Sequence, residues 1–178
     1  MKYFTPSEAV QLINSGESVY IQGSTSIPEV LCKALADRGD ELRDVTIYAA
    51  FAVGRCEAPF CRPEYKDSFN IKSLFVANNI RKWLAAGYGS TIPAFLGEIP
   101  GLFRDGTLPL DAVFLNVSQP NDEGYCSFGV SADLAVSAVE CASKVIVQVN
   151  KAMPFSYGDA LIHVSRIDAA VEVDDPLV

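Results

Sequence analysis

The chain has 178 residues, enough for one compact domain with its own core. Nearly half of them are apolar and a fifth are charged, a composition that excludes disorder. A formal charge of -8 with scattered basic residues excludes a basic stripe for nucleic acid, and no apolar run approaches the roughly 20 residues that cross a bilayer.

Taken in chain order, Thr5, Pro6 and Glu8 form a capping box with Pro at the first helical position, ahead of Ala9, Leu12 and Ile13. A short first helix is expected to end at Gly16. The apolar run from Val19 to Ile21 breaks at Gly23, and Ser26 to Glu29 offers a second capping box before Val30, Leu31, Ala34 and Leu35. Strands are expected at Val45 to Tyr48 and Ile71 to Val76, then a helix over Ile80 to Ala86 capped by Asn78 or Asn79. Later come a strand from Ala112 to Val117, a turn at Asn121 to Gly124 and a helix opened by Ser131 and Asp133. Strands at Val145 to Val149 and Ala169 to Val173 complete the series.

Alternating strands and helices give an α/β class. Continuous apolar runs such as VIVQV suit strands covered on both faces, so a mostly parallel sheet flanked by helices is expected. No repeat and no low-complexity linker divides the chain, which reads as one domain over 1–178. Its last residues, AAVEVDDPLV, read as a strand with a proline exit and no closing helix, and the chain is expected to belong to something longer.

Five cysteines, Cys32, Cys56, Cys61, Cys126 and Cys141, form an odd set without paired CxxC spacing, and MKYFTPSE has no signal-peptide character. A cytoplasmic protein fits both observations. Cys56, Cys61 and the lone His163 match no common zinc spacing and lack a fourth ligand, so no metal is assigned. His163, inside the apolar LIHV run, reads as a structural histidine because no nucleophile motif accompanies it. Neither a Walker loop nor GxGxxG follows any expected strand.

Three segments remain as candidate binding elements. Gly23, Ser24, Thr25 and Ser26 lie between a strand's carboxyl end and a helix's amino end, where free N–H groups attract anions. A plain turn and a plain helix cap explain them equally well. Asp122, Glu123, Gly124 and Tyr125 crowd two carboxylates into a turn near the same edge; a solvated turn is the simpler account. Asn150, Met153 and Pro154 follow a buried-type strand in a loop suited to recognition.

The ordered combination of VSQPNDEGYCSFGVSADL, VIVQVNKAMP and GDALIHVSRIDAAVEVDDPL resembles the amino-terminal half of the acetyl-CoA hydrolase/transferase family, on the side of 4-hydroxybutyrate and butyrate CoA-transferases. The likeness extends back through LFRDGTLPLDAVFLNV to GSTSIPEVLCKALADR. It implies two similar α/β halves with a short-chain acyl-CoA and a carboxylate as substrates at the cleft between them, no tightly bound cofactor, and homo-oligomers of the complete protein. It also implies ping-pong covalent catalysis by a glutamate of the second half, whose motif has no counterpart here. On that reading this chain holds no catalytic residue, is inactive alone, and contributes the three segments above as substrate contacts. The alternative is a noncatalytic acyl-CoA-binding subunit acting with a separate catalytic chain. Where the family resemblance leads one to expect a histidine before Gly124, this sequence has Glu123.

Overall fold

A computed structural model describes residues 1–50 and 59–177. Seven parallel strands form one sheet: β1 (Ser18–Ile21), β2 (Val45–Ala49), β3 (Phe69–Ser73), β4 (Ser90–Thr91), β5 (Ala112–Val117), β7 (Lys144–Asn150) and β9 (Ala169–Val173). Their spatial order is β4-β3-β2-β1-β5-β7-β9. A separate antiparallel pair joins β6 (Tyr125–Ser127) to β8 (Leu161–His163).

This order is that of a doubly wound sheet. From β1 the chain steps outward through β2 and β3 to β4, then returns to lay β5 on the other side of β1. Parallel crossovers are right-handed, so reversing the direction of travel moves the connecting helices to the opposite face. Accordingly α2 (Glu29–Ala36) and α3 (Asn78–Ala85) pack with Val19, Ile47, Ile71 and Phe114 on one face. On the other, α4 (Ile99–Arg104) and α5 (Ala135–Cys141) pack with Tyr20, Val113, Leu115 and Val147. The two-residue alternation of each strand splits its side chains between these two cores. Every residue of β5 is buried, as expected of a strand covered on both sides.

Both sheet edges are blunted. β4 is only two residues long, and at the other edge the chain start pairs with β9 through Phe4 N–H to Ala170 C=O (2.8 Å) and Ala170 N–H to Lys2 C=O (3.0 Å). At the amino edge, Asp111 accepts from the backbone N–H and hydroxyl of Ser18 at 2.8 and 2.9 Å, locking β1 to β5.

The first capping box forms as expected: the Thr5 hydroxyl accepts from Glu8 N–H and the Glu8 carboxylate accepts from Thr5 N–H. The helix it opens, α1 (Pro6–Ala9), runs on only as a 3-10 turn to Leu12, short of Gly16. The other helix starts differ from expectation. Ser26 does not cap α2, whose N-cap is Pro28 with no side-chain bond. Asn78 and Asn79 lie inside α3, behind Ala77 as N-cap. Ser131 and Asp133 precede α5, whose N-cap is Leu134; Asp133 instead accepts from Leu134 N–H at 2.6 Å. The expected strand at Ile71 to Val76 begins earlier, at Phe69, and ends at Ser73. Strands β5 and β9 fall on their expected boundaries.

Lys144 at the start of β7 pairs with Glu17 before β1 at 2.6 Å, both side chains about three-quarters buried. Burial alone would raise the Glu17 pKa, but hydrogen bonds from Asn14 and the charge of Lys144 outweigh it and hold it below its ordinary value. A lowered carboxylate pKa stabilises above the unfolded pKa and is lost as pH falls through the folded value. Lys144→Met should therefore cost about 1 kcal/mol at pH 7. In thermal melts the gap between the two proteins should close below about pH 4.

Candidate functional site

In open α/β sheets the ligand crevice lies outside the carboxyl ends of the strands where the strand order reverses. Here that point is between β1 and β5. Gly23, Ser24, Thr25 and Ser26 stand directly on it, as the continuation of β1 beyond Ile21. The turn is tight: Ser26 N–H donates to Gly23 C=O at 3.2 Å, and Ser24 sits in the left-handed region at φ 58. A non-glycine residue there is costly and is held only by its surroundings. Gly23 and Ser26 are buried, Ser24 and Thr25 half-buried.

Gln22 makes the turn rigid. It is fully buried, and its side-chain amide donates to Ser131 C=O at 2.6 Å while its carbonyl accepts from Asn116 N–H at 2.7 Å. One side chain thus bridges β1, β5 and the segment that follows β6. Beside it, Gln148 of β7 accepts from Val30 N–H in the first turn of α2 at 3.2 Å. Two polar atoms around the turn, Ser26 Oγ and Asn116 Oδ1, are buried without a hydrogen-bond partner among the described residues. Buried polar atoms are rarely left so.

The second and third candidate segments form one unit on the same edge. Asn121 organises the first turn by accepting from Glu123 N–H (3.1 Å) and Tyr125 N–H (2.8 Å). Asp122 and Glu123 are exposed at its tip. Gly124, at φ 80, passes close to the His163 ring, and Tyr125 packs edge-on against that ring at 5.0 Å. His163 Nδ1 lies 2.7 Å from Ser165 Oγ and accepts from Ser165 N–H, a structural arrangement. In the third segment Asn150 is buried and occupied: Oδ1 accepts from Ala152 and Asp175 N–H, and Nδ2 donates to Asp175 C=O at 2.9 Å. Met153 is buried against Gly129, while Pro154 is exposed. The Ser127 hydroxyl binds both the Ser156 hydroxyl (2.8 Å) and Gly129 N–H (3.0 Å), fastening the loop to β6.

All three segments therefore share the carboxyl edge. Gln22 links the first to the residues after β6, and the β6–β8 pair links the second to the third. The free surface that remains belongs to Ser24, Thr25, Asp122, Glu123, Tyr125 and Pro154. Asn150 and Met153 act from beneath.

Next to the first turn, between the carboxyl ends of β1, β2 and β3 and the helices α2 and α3, lies a small apolar cleft, part of it open to solvent. Ile21, Ile27, Ile47, Phe60, Ile71 and Ile80 line it, with Phe75 half-exposed at 48%. These residues escape a sequence reading because each looks like ordinary core; only the strand order brings them together. Gln22 was equally hidden, its one signal being a lone amide closing the apolar run VYIQ before Gly23.

No nucleophile is prepared here among the described residues. Burial pushes the Cys61 thiol up to about 12 and the Cys126 thiol up to about 11, so neither ionises at neutral pH. The described residues contain no group of three or more metal-ligating side chains, and Cys56 of the rejected zinc set lies outside them. No helix among them is long and apolar enough to cross a membrane.

A family profile for the acetyl-CoA hydrolase/transferase N-terminal domain matches residues 1–178. The chain belongs to that family. It is 36% identical over 177 residues to a 4-hydroxybutyrate coenzyme A transferase of Clostridium kluyveri, covering 99% of this chain and 41% of that protein. It is 33% identical over 162 residues to a succinyl-CoA:acetate/propanoyl-CoA:succinate CoA transferase of Fasciola hepatica, covering 90% of this chain and 33% of that protein. The crystal structure of RipA from Yersinia pestis superposes with a TM-score of 0.90 at 30% identity, over 99% of this chain and 43% of that one. The chain thus spans about two-fifths or less of the length of these curated relatives.

Two outcomes check the geometry of this edge in the family member. Gln22→Leu leaves Asn116 N–H and Ser131 C=O buried and unpaired, and should lower stability by about 3 kcal/mol in urea denaturation. Gly129→Ala places a Cβ against Met153 at a backbone φ of 64. It should destabilise by at least about 1 kcal/mol, whereas Gly97→Ala, in open space, should change stability by less than that.

Proposed function

We propose that this chain forms the amino-terminal wall of a CoA-transferase site that moves coenzyme A between a short-chain acyl-CoA and a carboxylate. The observation that carries the reading is the apolar cleft lying beside the Gly23–Ser26 turn, which itself stands where strand order reverses, in a chain matched end to end by the family profile. The acyl chain enters the cleft. The thioester lies over the turn, where the Ser26 hydroxyl is a donor without a partner among the described residues.

In this reading the chemistry follows the ping-pong course. A glutamate outside this chain attacks the thioester carbonyl and expels the CoA thiolate, leaving an acyl-glutamyl anhydride. The thiolate returns to the glutamyl carbonyl and releases the first carboxylate, leaving glutamyl-CoA. The acceptor carboxylate attacks that thioester, and the thiolate then attacks the new acyl carbonyl, freeing the glutamate and the product thioester. Each hard exchange is split into two easier ones. The burial that keeps the Cys61 and Cys126 thiols protonated fits a wall that binds and orients but does not react.

The free thiols of Cys61, Cys126 and Cys141 suit a reducing cytoplasm. Exposed Phe95, Leu96, Val130 and Tyr157, all on segments that follow strand ends, suit an edge covered by the rest of the protein and by symmetric assembly. The two curated relatives named above handle acyl groups of different charge, so the family alone does not fix the substrate.

The test is transferase activity with acetyl-CoA and a panel of short carboxylates, comparing residues 1–178 with the complete protein. Turnover is expected only in the complete protein and should fall by at least about a thousandfold when its glutamate is replaced by alanine. Turnover by residues 1–178 alone would refute the division of labour, and a complete protein silent across the panel would refute the activity.

A further inference from the structure

We propose that the amino edge of the sheet carries a binding site of its own, a recess beside the short strand β4 that takes a nucleoside monophosphate. The proposal does not depend on the transferase reading above.

β4 pairs only with Lys72 and Ser73, so the first half of β3, from Phe69 to Ile71, has no strand beside it on that side. A recess of about 350 Å³ lies there, at the lower end of the range of small-molecule sites. Its walls come from the start of β3, from Asp44 ahead of β2, from the turn that carries Arg62 and Lys66, and from Gly87 to Ser90. Phe60 and Ile71 line both this recess and the apolar cleft, and so divide the two.

The chain has a formal charge of -8, yet Arg62 and Lys66 both line this recess, and neither forms an ion pair among the described residues. Their sequence neighbours Glu64 and Asp67 are exposed and lie outside its lining. Arg62 is aimed: its guanidinium stands 5.7 Å over the Tyr65 ring. That ring is itself fixed, edge-on to Phe69 at 5.9 Å and pressed on Gly39, where a Cβ would collide with it. A guanidinium fork and an ammonium are the usual partners of a phosphate, and two cations match the roughly two negative charges of a phosphate monoester at neutral pH.

Tyr88, half-buried and edge-on to Trp83 at 6.0 Å, adds a second fixed ring on which a base can stack. A bare anion would set Asp44 against like charge, whereas a ligand that also carries hydroxyl groups gives this carboxylate donors to accept from. Phosphate, hydroxyl groups and a planar base together describe a nucleotide.

The test is isothermal titration of the complete protein with AMP, adenosine and ribose 5-phosphate at low ionic strength. AMP should bind once per chain, with adenosine and ribose 5-phosphate each at least about tenfold weaker. The Arg62→Ala, Lys66→Ala double variant, which removes two exposed side chains, should weaken AMP at least about tenfold while its melting curve stays that of the parent. Tyr88→Ala should bring AMP down toward ribose 5-phosphate. No binding of AMP at millimolar concentration would overturn the proposal. So would AMP and ribose 5-phosphate binding equally, or AMP binding undiminished in the double variant, which would place the nucleotide elsewhere on the protein.

Discussion

Gln22 carries a hydrogen-bonding load that the whole carboxyl edge relies on. Where the order of strands reverses, β1 and β5 send their continuations in opposite directions, and a gap opens above the sheet. A fully buried amide fills it, accepting from β5 with one end and donating to the chain beyond β6 with the other. A buried side chain with both donor and acceptor satisfied fixes its neighbours far better than apolar packing would. Through it, the Gly23–Ser26 turn, β5 and the residues after β6 hold one geometry.

That rigidity is spent on unfavourable local features. Ser24 occupies the left-handed region, Ser26 Oγ and Asn116 Oδ1 lie buried without partners among the described residues, and an apolar cleft stays partly open beside them. Each lowers stability, and a domain selected for stability alone would have removed them. Their convergence on one turn, with the structural work done elsewhere by Asp111 and the two cores, is what a binding edge looks like in physical terms. On the proposed reading this wall shapes and dehydrates a site, and the thiols of Cys61 and Cys126, which burial keeps protonated, do not attack what enters it.

Much of the fold was legible in the sequence. Continuous runs such as VIVQV announced strands buried on both faces, and β5 and β9 were bounded to the residue, since apolar period and turn residues agreed there. The helix starts were not. Ser26, Asn78 and Ser131 all had the chemistry of caps, but each helix starts where its apolar face meets the sheet, a decision taken by tertiary packing. The short pair β6 and β8 was missed because neither strand has enough alternation to signal, and it forms by pairing across 36 residues. The candidate segments were readable as two turns and a loop after strands, and they do share one edge. Asn150 looked like a contact but is wholly engaged with Asp175 and Ala152. The cleft was invisible, because Ile47, Phe60 and Ile71 become a site only once strand order is known.

The most direct test of this account is a crystal structure of the complete protein with butyryl-CoA bound. The account requires the acyl chain to lie between Phe60 and Ile71, with the thioester carbonyl over residues 23–26 and the glutamate approaching from the far side. An acyl chain seated elsewhere, with this cleft empty or filled by a protein side chain, would contradict it.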